Sequence, residues 1–182
     1  MKPSLQVIKG PGTPPTIILE QHIEDSTAEA FQGSLDKLAP GRPKEIRVII
    51  NSDGGEIKAG FAIAQMIERY PAKVTCIVDV RAQSMASAIL QSCDIRIMTK
   101  RAFIMMHQPN VSCESCTEFR LREAADGIAV IAKQLAHQTC RKSKMKPEEW
   151  LAKTTNGRDW SVDPEEALKL GFIDSIIPKV TW

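Results

Sequence analysis

No stretch of the 182-residue chain approaches the roughly 18 to 20 consecutive apolar positions that a membrane-spanning helix requires. The first fifteen residues hold an early lysine, Lys2, but no long apolar segment. Gly10, Pro11, Gly12, Pro14 and Pro15 break them up, so they do not read as a secretory signal. The two absences predict a cytoplasmic protein. Neither sign of charge is in excess. The 24 basic and 22 acidic residues are interspersed and leave a formal charge of +2, which offers no surface for a polyanion and makes nucleic acid a poor partner. A complete metal-ligand set is also lacking: Cys113 and Cys116 have the spacing of half a zinc site, but no second CxxC and no HxxxH accompanies them. No metal and no organic cofactor is expected. The five cysteines are odd in number, and Cys76, Cys93 and Cys140 lie in or beside apolar segments. They are predicted to be small buried hydrophobes, with Cys113 and Cys116 as free thiols in a polar loop and no disulfide framework. The chain has no internal repeat.

What is present suits one globular unit. With 43% hydrophobic residues the chain can bury a single sizeable core. Residues 1–15 read as an arm and residues 16–182 as the domain. Thr16 to Leu19 and the β-branched run Ile46 to Asn51 read as strands. Between them Ser26-Thr27-Ala28-Glu29 has capping-box spacing and predicts a helix with Ala30, Phe31, Leu35 and Leu38 on one face. The turn Ser52-Asp53-Gly54-Gly55 leads to a helix carrying Ile57, Phe61, Ala64 and Ile67, which Pro71 stops. Strands are expected at Val74–Val80, Ile95–Met98, Phe103–Met106 and Ile173–Ile177, and a short helix from Ser84 to about Gln91. An apolar stripe through Leu121, Ala124, Ala125, Ile128, Ile131, Leu135 and Gln138 predicts a long helix, followed by a short one in KPEEWL. Asp163-Pro164-Glu165-Glu166 combines an N-cap, a first-turn proline and a capping glutamate, with Gly171 as the carboxy-terminal cap. Strands alternating with helices predict an α/β fold with a largely parallel sheet.

The apolar run Val74–Val80 breaks into Arg81-Ala82-Gln83-Ser84-Met85-Ala86. A buried strand turning sharply into a helix sets one hydroxyl beside unpaired backbone N–H groups and the positive end of the helix dipole. Ser84 is therefore a candidate nucleophile. Gly54 and Gly55 let the backbone approach a ligand, so their amides can be half of an oxyanion hole, with the Met85 N–H as the second donor. His107, at the end of a predicted strand, is the best-placed base, since His22 lies in an early polar loop and His137 near the end of the long helix. Asp163 and Asp174 have structural readings, which leaves Asp159, in Asn156-Gly157-Arg158-Asp159, as the orienting acid. Each element alone has a plainer explanation: a glycine pair is ordinarily a turn, a serine at a helix start a cap, and a histidine beside a strand a structural residue.

In this order the motifs resemble the ClpP family, the proteolytic subunit of ATP-dependent Clp proteases. Ile50-Asn51-Ser52-Asp53-Gly54-Gly55 with Ala59-Gly60 is similar to the family's INSPGG and alanine-glycine helix, and Gln83-Ser84-Met85-Ala86 to its ASMG motif. Met106-His107-Gln108-Pro109 is similar to its MIHQP; Arg158-Asp159, Glu166-Ala167 and Gly171-Phe172-Ile173-Asp174 are similar to its closing segments. The resemblance runs from about Ile17 to Ile177. It implies a crotonase-like α/β domain with a projecting handle helix. It also implies a triad of Ser84, His107 and Asp159, and an oxyanion hole of the Gly55 and Met85 amides. The substrate would be peptides or unfolded protein, cleaved inside a homo-oligomer of heptameric rings, single or stacked. Asp53 stands where the family has proline, and Ala86 where it has glycine. The segment ahead of the first strand is shorter than the family's axial hairpin, which counts against a standard AAA+ unfoldase partner, and forms of this kind also occur as phage or mobile-element proteases. Two further readings are a non-catalytic ring subunit and a crotonase-type acyl-CoA enzyme.

Overall fold

The structure is a computed structural model, and residues 5–110 and 117–180 are described. Cys113 and Cys116, read as loop thiols, lie outside the described residues.

Eight strands form one sheet: β1 (Gln6–Ile8), β2 (Thr16–Leu19), β3 (Glu45–Ser52), β4 (Lys73–Gln83), β5 (Ile95–Thr99), β6 (Phe103–Met106), β7 (Trp160–Val162) and β8 (Ser175–Ile177). The order along the main path is β1-β2-β3-β4-β5-β8, while β6 pairs with β4 and β7. Pairing is parallel except at β1–β2 and β6–β7. Parallel strands need crossovers, and the helices supply them: α1 (Asp25–Leu38), α2 (Ile57–Arg69), α3 (Met85–Leu90), α4 (Glu118–Cys140), α5 (Pro147–Lys153) and α6 (Pro164–Leu170). The core lies between the central strands and these helices. Ile46, Val48, Ile50, Val74, Cys76 and Val78 of the strands meet Phe31, Leu35, Ile63 and Ile67 of α1 and α2.

Two elements of the amino-terminal half differ from the sequence reading. Within the stretch read as an arm, Gln6–Ile8 adds an antiparallel edge strand to β2, and Leu5 is buried. At α1 the capping box is not formed: the helix begins at Asp25 behind Glu24, which makes no side-chain cap, and the Ser26 hydroxyl bonds to the Glu24 carboxylate. At α6 the predicted signals act together. Asp163 accepts from the Glu166 N–H at 2.8 Å, Pro164 opens the helix, and Gly171 ends it with φ 77°.

Strand β4 changes partners along its length. Its first part lies between β3 and β5. After Ile50↔Val78 the next β3 pairing is Ser52↔Ala82, so β4 bulges at Asp79–Arg81 and its last residues pair with β6 instead. The bulge carries the strand's end away from the core sheet and toward β6 and β7.

The expectation that Cys76 and Cys93 are independent thiols is overturned. They form a disulfide with their Cα atoms 5.9 Å apart, tying β4 to the turn after α3. Each sits in an apolar segment as expected, but α3 folds back over β4 and brings the two segments together, which no spacing rule encodes. Cys140 remains a buried free thiol, and burial pushes its pKa up to about 11.

The long helix α4 is two things in one element. Its last turns pack on the domain through Ala132, Leu135, Ala136 and Cys140. The part before them projects: Phe119 is 67% exposed, Leu121 51% and Val130 57%. Among the described residues no helix is long and apolar enough to cross a membrane.

Candidate active site

The turn from β4 into α3 is tight. Ser84 has φ 51° and ψ −121°, a conformation L-residues rarely adopt, and it precedes a helix in which every residue is buried. Its own N–H donates to Met105 C=O at 2.7 Å, continuing the β4–β6 ladder, and its C=O accepts from Ser87. These bonds pin the strained residue on both sides and leave the hydroxyl at the cavity wall.

The glycine turn is packed directly on this elbow. Gly54 has φ 93°, and a Cβ there would lie 2.6 Å from Gln83 O and 2.8 Å from Ser84 Cβ. Gly55 has φ 149° and would drive a Cβ to within 2.1 Å of Ile23 O. Sequence reasoning gave Gly54 only turn geometry and a share in the oxyanion amides; its role as the surface on which the elbow rests needs the fold. Bonds to the neighbouring loop fasten the turn: Ile23 N–H donates to Gly54 C=O at 2.8 Å, and Glu56 N–H to Ile23 C=O at 2.7 Å. The Gly54 N–H bonds to Ser52 Oγ. The Gly55 and Met85 amides donate to nothing among the described residues.

Ser84, Met85, Gly55 and His107 line one cavity of about 430 Å³, whose apolar wall includes Ile57 and Leu135. Leu135 belongs to α4, so the helix read as a projecting handle also walls the site. Its place in the apolar stripe was visible in the sequence, but its part in the cavity was not.

The His107 ring Nδ1 lies 2.7 Å from Gln108 C=O. A carbonyl only accepts, so Nδ1 carries a proton, and in the neutral ring this is the tautomer that offers the Nε2 lone pair a general base requires. Gln108 is itself anchored to α5, its side-chain amide donating to Leu151 C=O at 3.1 Å. Asp159 is exposed, is not in the cavity wall and makes no hydrogen bond to His107 in this structure. It immediately precedes β7, whose register pairs Trp160 with Met106. Extended by one residue, that antiparallel register sets Asp159 abreast of His107. Trp160 packs edge-on against Phe172 at 6.0 Å and so holds this end of β7 to the body of the domain.

Of the predicted site residues, the structure thus brings Ser84, His107, Gly55 and Met85 to one cavity and leaves Asp159 out of its wall. Gly60, quoted only as part of a motif, proves essential to packing: a Cβ there would lie 2.0 Å from Met85 Cγ, so the Met85 side chain occupies the space of the missing methyl. Among the described residues no group of three or more histidine, cysteine or acidic side chains could hold a metal ion.

The family model described as Clp protease matches residues 13–180. The chain belongs to the Clp protease family. Its relatives include the ATP-dependent Clp protease proteolytic subunit of Leuconostoc citreum, 31% identical over 90% of this chain and 82% of that protein. Another is the subunit of the same name from Porphyromonas gingivalis, 32% identical over 90% of this chain and 73% of that protein. A solved structure of a ClpP1 mutant from Listeria monocytogenes superposes with a TM-score of 0.79 over 89% of this chain and 90% of that one, at 22% identity. The fold is the crotonase-like α/β fold of the Clp protease family, and membership makes the chain a peptidase, a hydrolase by class.

Proposed function

We propose that this Clp protease family member is a serine endopeptidase whose nucleophile is Ser84. In the proposed reaction His107 Nε2 takes the hydroxyl proton as Ser84 Oγ attacks a peptide carbonyl, and the Gly55 and Met85 amides receive the oxyanion. His107 then gives the proton to the leaving amine, and water hydrolyses the acyl-enzyme by the same path in reverse. Asp159 is proposed as the carboxylate that orients the imidazole, taking over at Nδ1 from the Gln108 carbonyl that holds this place in the isolated chain. The observation that carries the reading is the strained position of Ser84, between two unbonded amides and in the same cavity as His107. A cap or turn serine has no need of a conformation that costs on the order of 1–3 kcal/mol.

The curated relatives are named as proteolytic subunits of an ATP-dependent protease, and by that likeness we propose that this chain works as the proteolytic subunit of a ring assembly fed by a partner ATPase. The exposed Phe119, Leu121 and Val130 support assembly, because large apolar side chains on a projecting helix gain by being covered; Phe119 and Val130 share one face of α4 and Leu121 lies on the other. The double variant Leu121→Glu/Val130→Glu should sediment as smaller particles than the parent chain; an unchanged mass would count against α4 as the contact.

A fluorophosphonate probe tests the chemistry. It should label the assembled protein at Ser84, and Ser84→Ala should lose both labelling and peptide hydrolysis. Absence of labelling in the parent chain would favour an acyl-CoA enzyme or a non-catalytic subunit.

A further inference from the structure

Asp53 is the residue at which the glycine turn departs from the proline of the family motif, and it is not idle. Its carboxylate faces the end of β4. Arg81 Nε donates to Oδ1, Arg81 Nη2 donates to Oδ2 at 3.1 Å, and the Gln83 side-chain amide donates to Oδ1 at 2.9 Å. Arg81 and Gln83 are two apart on a strand, so their side chains leave the same face and close on one carboxylate like a fork. Gln83 is the residue before Ser84, and Asp53 is two before Gly55.

We infer that the Asp53–Arg81–Gln83 fork is a positioning device: it sets the Gly55 amide at its distance from the Ser84 hydroxyl. The inference rests on the reading of Ser84 as nucleophile and Gly55 as oxyanion donor.

Three observations carry it. First, the two segments to be aligned come from different strands, and backbone pairing between them ends at Ser52↔Ala82, just after the bulge in β4. Beyond that pair the contact of Gly54 with Gln83 O and Ser84 Cβ keeps the segments from moving closer but does not keep them from parting. The fork supplies the missing tension across the same gap. Second, Ser52 and Gly54 are tied to the other side of the turn, Ser52 Oγ donating to Gln21 C=O at 2.7 Å and Gly54 C=O accepting from Ile23. Without the fork the turn beyond the Ser52↔Ala82 pair is tied from that side only, among the described residues. Third, the ion pair is exposed, with side-chain exposures of 35% for Arg81 and 61% for Asp53. Exposed pairs add little to global stability, so what this fork contributes is chiefly where it holds the backbone. The Arg81 hydrogen bond also holds the Asp53 carboxyl below its ordinary pKa, so the fork stays charged at neutral pH.

The test uses the assembled full-length chain, the fluorophosphonate labelling rate at Ser84 and the hydrolysis of a short peptide. Asp53→Ala and Arg81→Ala should each slow labelling and lower kcat about ten- to a hundred-fold, the cost of a misplaced donor, with KM and melting midpoint close to the parent values. Asp53→Asn, which keeps the shape and loses the charge, should fall between. The exchange Asp53→Arg/Arg81→Asp should recover most of the rate lost by either single variant, which a general loosening of the fold would not. If Asp53→Ala and Asp53→Asn label at the parent rate, or if the exchange recovers nothing, the inference is overturned. If the parent chain itself is not labelled at Ser84, the underlying reading of the site fails instead.

Discussion

The two halves of β4 obey different rules. Val74–Val78 are buried between β3 and β5 and are covalently tied to the turn after α3 through Cys76–Cys93. Beyond the bulge, Arg81–Gln83 are partly exposed except at Ala82, pair with β6, and end at a residue with positive φ. The first half is framework, satisfied entirely by its neighbours. The second runs into the strained Ser84 and the unbonded Met85 amide that follows it, features that suit a site rather than a framework. The lesson is that a single strand can hold a stable half still so that a costly half can be aimed. If the division is real, damage beyond the bulge should remove activity without stability, and damage before it should do the reverse.

The largest effect is expected on the site side. His107→Ala should lower peptide turnover by about 10⁴- to 10⁶-fold, because base and nucleophile act as a unit. Its melting midpoint should stay near that of the parent chain, and a parallel loss of stability would blur the comparison. On the framework side, Cys93→Ala opens a bridge spanning 17 residues and should cost about 3 kcal/mol, read in denaturant unfolding. Activity measured well below the unfolding transition should be retained. Thiol titration of the unfolded protein should likewise find two more reactive groups after reduction than before.

A smaller effect tests the framework next to β4. Arg96 of β5 is 7% exposed at its side chain and is held by Asp174 through both carboxylate oxygens, and by Gln91 and Gly171 C=O. Burial alone would raise the Asp174 carboxyl; the hydrogen bonds from Arg96 outweigh it and leave the pKa below the ordinary value. A lowered folded-state pKa means that the stabilisation is present above the unfolded value of about 4 and is lost as pH falls through the folded one. Asp174→Asn should therefore cost about 2 kcal/mol at neutral pH, with the gap to the parent closing below about pH 4 in thermal melts. A gap that persists at low pH would mean that shape, not charge, is what Asp174 supplies.

The comparison also explains what could be read from the residues. The framework around β4 was legible because its signals are local: the β-branched run of β3, the Asp-Pro-Glu-Glu start of α6 and its glycine stop. The elbow was legible because a break in an apolar run followed by a helix leaves a serine in one kind of place. What escaped notice depends on distant segments meeting. The Cys76–Cys93 bond needs α3 to fold back, β1 and β7 are short edge strands with little pattern of their own, and Leu135 reaches the cavity only because α4 crosses it. In the sequence Asp53 reads as a proline lost and a carboxylate gained beside the groove; its partners lie 28 and 30 residues on, where no local pattern links them to it.

The φ of 51° at Ser84 has one more consequence. Alanine at this position removes the hydroxyl yet inherits the contorted backbone, whereas glycine removes both. A Ser84→Gly chain should thus outlast a Ser84→Ala chain in unfolding experiments although both are equally inert, and the difference between two dead proteins measures the tension under which the living one works.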